Sequence, residues 1–214
     1  MKNCERKRFS CHFVNLESQP RQLQGRQMRK LLLLLSCLIL APTSSAAVVE
    51  TLEYVDYIAI ANPPRSLLST LNAASPLREN GQVLHGQTDW HVTWNFRWFE
   101  GPDGRCRITT VTTALTGRIT LPRLVGATST QRGQFDRYLS ALRVHELGHY
   151  GFGEEAAAEI DREILSLPEM SSCKTLESAA SDLRDRMLNE YQEREIRYDA
   201  ATAHGRSQGT WLEP

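Results

Sequence analysis

An α+β domain, with a small antiparallel or mixed sheet followed by helices, is predicted by three observations. Residues 52–121 are strand-like and include a long segment of strict apolar and polar alternation; from about residue 130 the apolar spacing changes to three and four. The chain has 214 residues with 41% hydrophobic content, room for one ordinary core.

The first strand is LEYVDYIAIAN, which ends at Pro63-Pro64 before a short helical pattern, SLLSTLNAA. In TDWHVTWNFRW, Trp90, Val92, Trp94, Phe96 and Trp98 alternate with His91, Thr93, Asn95 and Arg97. That period of two buries an aromatic face and leaves a polar one. EGPDGR turns the chain and the threonine-rich CRITTVTTAL follows, so residues 88–116 read as an antiparallel hairpin, to which GRITLP adds a short strand or extended segment. Phe135, Leu139, Leu142 and then Glu146 and His149 share one face of a helix. Gly151 and Gly153 are positioned to end or bend it. EEAAAEIDREILSL reads as a second helix, LESAASDLRDRMLNEYQEREIRY as a third, and DAATAHGRSQGTWLEP as a loop-like tail.

Ahead of this domain, Met28-Arg29-Lys30 precedes LLLLLSCLILAP and then TSSAA, the charged start, apolar run and small residues of a secretory signal peptide cleaved after Ala46 or Ala47. Met28 then reads as the initiator, with 1–27 a non-native extension, 28–47 the signal peptide and 48–214 the domain. The run Leu31 to Ala41 is too short for a permanent span, and the apolar residues after Cys37 argue against lipidation there. The expected destination is secreted or periplasmic, with no stable membrane span after cleavage. Residues 1–46 carry eight of the 25 Lys/Arg and two of the 25 Asp/Glu, so the rest is acidic, without the basic footprint of a nucleic-acid binder. Removal of Cys4, Cys11 and Cys37 with the leader leaves Cys106 and Cys173, which an oxidising compartment would pair as a disulfide.

The segment VHELGHYGFGEE carries the chemistry. His145 and His149 stand one helical turn apart, so both imidazoles project from one face toward a single Zn²⁺, the expected cofactor. Glu146 is offset by about 100° around the helix and is placed to act as base on water at the metal. Zinc catalysis needs a third protein ligand. The metzincin extension fails, because its glycine and histidine positions are Phe152 and Glu155. Glu154, Glu155, Glu159 and Glu163 are candidates from the following helix, but Glu159 would lie ~15 Å along an unbroken axis from His149. His85 and His91 fall on strands, where a polar-face histidine is usually exposed. His204, in a loop after a long helix with Gly205 and Gly209 beside it, is free to return to the site.

These residues resemble the bacterial family of predicted secreted zinc-dependent proteases, itself a domain of unknown function. The resemblance runs from about Tyr54 to Gln208 and is carried by GQTDWHVTWNF, the cysteine of CRI, ITLP, HELGH, Cys173 and the ending YDAATAHG. It departs at PRLVG, where the family commonly has tryptophan after the proline. It implies His204 as the third ligand and Asp199 as a partner orienting a histidine. Tyr198 would stabilise an oxyanion or pack.

The function expected is therefore zinc-dependent hydrolysis of a peptide or protein substrate by an exported, zincin-like domain, with His145, His149 and His204 as ligands and Glu146 as base. Two alternatives remain: a non-catalytic zinc-containing envelope binding protein, and an amidase acting on cell-wall peptides. A structural site would close all four positions with protein ligands, and the exported chain has no cysteine close to the motif in sequence.

Overall fold

The computed structural model describes residues 48–62, 64–79 and 81–213. The expected extension 1–27 and the expected signal peptide 28–47, with Cys4, Cys11 and Cys37, lie outside the described residues. Strand β1 (Val49–Ile60) leads to helix α1 (Leu67–Ala74) and then to two short strands, β2 (Arg78–Glu79) and β3 (Gln82–Val83). The long strands β4 (Gln87–Glu100) and β5 (Cys106–Val125) follow, and the helices α2 (Ser129–Leu165) and α3 (Cys173–Thr202) complete the order. The α+β class is the one expected. Its main sheet has the order β1-β5-β4, with β4 antiparallel and β1 parallel to β5, so the sheet is mixed.

Burial along β4 and β5 alternates as the sequence pattern requires, with Val92, Val111, Leu115, Ile119 and Leu121 turned inward. Phe135, Leu142, Ile160 and Ile164 of α2 and Leu176 and Ala180 of α3 join them in one core. Each of these Val, Leu, Ile and Phe side chains contributes roughly 1.5–3 kcal/mol when fully buried.

Two elements run on farther than the sequence pattern implied. β5 continues for 20 residues through Gly117, which pairs in register with Trp90. A Cβ on Gly117 would run into the Tyr150 ring. α2 is one helix of 37 residues, not two, and it starts at a capping box in which Thr128 and Gln131 satisfy each other's main-chain N–H groups. A Cβ on Gly153 would stand 2.9 Å from Cγ of Trp90. These glycines are packing notches, whose propensity cost of about 1 kcal/mol in a helix is offset by the close approach of an aromatic ring.

Antiparallel to α2, α3 pairs Tyr191 with Glu159 at 2.6 Å, Arg194 with Glu155 at 3.3 Å and Glu195 with His149 at 3.4 Å. Its start is tied to the sheet. Cys173 forms the expected disulfide with Cys106, closing a separation of 67 residues, and Cys106 also exchanges main-chain hydrogen bonds of 2.9 and 2.8 Å with Met170. Its end lies farther along than the sequence pattern implied. Asp199, expected in a loop, joins Tyr198 in the last turns of α3, because Asp-Ala-Ala-Thr sustains the helix until Ala203, His204 and Gly205 take left-handed angles. A 3₁₀ turn, Arg206–Gln208, then doubles back against α2. Among the described residues, no helix is long and apolar enough to cross a membrane.

Candidate metal centre

The helical spacing of His145 and His149 sets their rings 4.9 Å apart and nearly perpendicular. Each ring turns one nitrogen toward an acceptor. His145 Nδ1 lies 2.9 Å from Oε1 of Gln208. His149 Nδ1 lies 3.4 Å from Oε1 of Glu195, which also accepts the indole N–H of Trp90 at 2.9 Å. The other nitrogens converge: His145 Nε2 is 3.3 Å and His149 Nε2 is 3.1 Å from the same oxygen, Oδ1 of Asp199. Ligand atoms of these three residues lie within 4.8 Å of one another, a group able to hold a metal ion. Thus α3 grips His149 from two sides through Glu195 and Asp199, one turn apart.

Tyr198 stacks on His145 with the ring planes 13° apart, and its hydroxyl donates to the His145 carbonyl at 3.3 Å. The hydroxyl fills a notch at Gly148, where a Cβ would collide with it. Of the two roles expected for Tyr198, its contacts support packing, since its hydroxyl is engaged by α2 main chain and Gln208.

Glu146 is buried, and its carboxylate lies against Gly86 and Thr88. The Thr88 hydroxyl stands 2.8 Å from Oε2 and 2.9 Å from the Glu146 carbonyl. Burial pushes the Glu146 pKa up to about 7, against the opposing effects of the Thr88 hydrogen bond and His149. Burial also lowers His145. The His149 pKa is raised, because the Glu195 hydrogen bond and the nearby carboxylates together outweigh burial.

His204 stands at the rim. Its side chain is 68% exposed, against 27% for Asp199 and 6% for His145, and its Nδ1 lies 3.6 Å from the second Asp199 oxygen. The glutamates considered as ligands are placed elsewhere. Glu155 and Glu159 meet α3, Glu163 pairs with Arg162, and Glu154 lies near Glu50, whose charge adds to burial in raising its pKa. His91 is exposed as expected. His85 is not: it is half-buried, with Nδ1 2.7 Å from the Tyr138 hydroxyl and Nε2 2.9 Å from Oδ1 of Asn72, and burial lowers its pKa to about 4.

Residues 55–205 match the family model described as "Bacterial protein of unknown function (DUF922)". The chain belongs to that family. The DUF922 match spans every residue of the His145–His149–Asp199 cluster and ends at Gly205, before Gln208. No curated protein and no solved structure matches the chain. Within this DUF922 domain, sequence reasoning had assigned no role to Glu195, Gln208, Thr88 or Trp90 at the histidines. The spacing of Glu195 and Asp199, four apart, was the one available signal, and it acquires meaning only once both are known to be helical.

Proposed function

We propose that this DUF922 domain is an exported zinc peptidase of zincin-like construction, whose ion is held by His145 Nε2, His149 Nε2 and Asp199 Oδ1. The observation that carries this reading is the convergence of two imidazole nitrogens on one carboxylate oxygen while both Nδ1 atoms face acceptors. Separations of 3.1 and 3.3 Å fit a tetrahedral ion, whose ligand atoms at about 2.0–2.1 Å stand ~3.3 Å apart. Zn²⁺ bound there supplies Lewis acidity, lowering the pKa of water from about 15.7 to about 7 and polarising a carbonyl. Glu146 removes the proton from attacking water and returns it to the leaving amine. Thr88 restrains its carboxylate, and the exposed Asp199 and His204 side is where substrate enters. The disulfide supports export, since such bonds persist in oxidising compartments.

The second reading is a zinc-containing binding protein without catalysis. It is favoured by the proximity of His204 to Asp199, 3.6 Å, from which a fourth protein ligand would close the site. Zinc content after dialysis, measured beside cleavage of a library of protein-derived and cell-wall peptides, separates the two. Under the peptidase reading Asp199→Ala loses zinc, Glu146→Gln keeps stoichiometric zinc while hydrolysis drops by ~10²–10⁴-fold, and His204→Ala keeps zinc. Zinc lost from His204→Ala, with no cleavage by wild type, would transfer support to the binding protein.

A further inference from the structure

We infer that Gln208 is the residue that decides which ring nitrogen of His145 faces Asp199, a positioning role that rests on the zinc reading above. Its carboxamide belongs to a closed ring of three hydrogen bonds. His145 Nδ1 donates to Gln208 Oε1 at 2.9 Å, Gln208 Nε2 donates to the Tyr198 hydroxyl at 3.0 Å, and that hydroxyl donates to the His145 carbonyl at 3.3 Å. Every donor is used once. The Tyr198 hydroxyl is also 3.4 Å from Oε1, a longer contact that competes for the same proton.

The ring closes in one sense only. With the carboxamide turned over, Nε2 of Gln208 would face His145 Nδ1, Tyr198 would have to donate to Gln208, and the His145 carbonyl would lose this partner. The closed sense places the proton of neutral His145 on Nδ1, so the lone pair of Nε2 is directed at the Asp199 pole, 3.3 Å from Oδ1. Fixing a ligand's tautomer through its other nitrogen is the usual work of groups behind a metal ligand.

The backbone supplies an independent observation. Ala203 and His204, with φ of 50° and 52°, are the non-glycine residues of positive φ among the described residues, and Gly205 follows at 77°. This run reverses the chain immediately after α3 and brings Gln208 back to α2. A Cβ on Gly205 would stand 2.8 Å from Cγ of His145, so the loop is seated on that imidazole. Unfavourable angles in succession persist where the surroundings over-determine them, and here they deliver the carboxamide to His145.

The test compares the full chain with its Gln208→Leu and Gln208→Glu variants, reading imidazole ¹⁵N shifts without metal and zinc affinity by chelator competition. Gln208→Leu is expected to lose the Nδ1–H signature of His145 and to bind zinc about 10–100-fold more weakly. Gln208→Glu retains an acceptor, so the signature persists and affinity stays within about threefold of wild type. A folded Gln208→Leu with unchanged shifts and unchanged affinity overturns the assignment. If that variant does not fold, Gln208→Asn, which withdraws the carboxamide by one methylene, takes its place with the same two outcomes. The metal-free spectra keep the two readings distinguishable: a wild type that has the signature but holds no zinc sinks the metal reading and leaves the positioning role standing.

Discussion

The two sides of the site differ in how completely their polar atoms are committed. On the inner wall, Glu195, Tyr198 and Gln208 hold the Nδ1 sides and main chain of the histidines, Trp90 holds Glu195 and Thr88 holds Glu146, all through hydrogen bonds or close ion pairs. At the rim, the outer oxygen of Asp199 faces the exposed His204 ring, at 3.6 Å. Under the proposed zinc peptidase reading, the difference would place preorganisation behind the ligands and adaptability in front of them, where differential binding of a substrate's transition state is made.

The largest effect on stability is expected where the wall is tightest. Gly148→Ala puts a methyl group where the Tyr198 hydroxyl lies, and helix backbone cannot yield there, so overpacking should cost about 1–3 kcal/mol in urea denaturation and weaken zinc binding as well. A Gly148→Ala protein of wild-type stability would mean that the wall is looser than its contacts imply.

Next comes a pH effect behind the wall. His85 is neutral between Tyr138 and Asn72, and its folded pKa of about 4 lies below the ordinary 6.5, so the unfolded chain binds the extra proton first. Its contribution to stability is fully present above pH 6.5 and is lost as pH falls from there to about 4. Partial solvent exposure limits the loss to ~1–2 kcal/mol. His85→Gln should flatten that part of the stability profile, and an unaltered slope between pH 6.5 and 4 would count against a neutral, partnered His85.

The smallest effect lies at the rim. Ala203 is exposed and has a φ of 50°, so Ala203→Gly should stabilise the chain by about 1 kcal/mol with zinc affinity unchanged. Destabilisation would show that the left-handed run is not strained.

Parts of this arrangement were legible in the chain. Period-two alternation from Trp90 to Trp98 identified β4, the one-turn spacing of His145 and His149 put two imidazoles on one face, and counting cysteines outside the expected leader paired Cys106 with Cys173. The misplaced element boundaries have a common physical origin. Glycine marks both a break and a notch, and only the partner across the gap distinguishes them, so Gly153 was read as a point where the helix could end or bend, although Trp90 packs against it. The resemblance gave Asp199 an orienting role, and the segment DAAT was read as part of a loop-like tail. Once that segment is helical, its carboxylate reaches both histidines, and His204 falls beyond the helix end at the surface. His85 illustrates the converse: a strand-region histidine was expected to be exposed, but Asn72 and Tyr138, distant in sequence, enclose it.

A crystal structure of the zinc-loaded protein, with the ion located by anomalous scattering, tests the central claim most directly. The account predicts one ion with three protein ligands within about 2.3 Å, namely Nε2 of His145, Nε2 of His149 and a carboxylate oxygen of Asp199, and a fourth position open toward His204. An ion bound by His204 in place of Asp199, or one enclosed by four protein ligands, would contradict it.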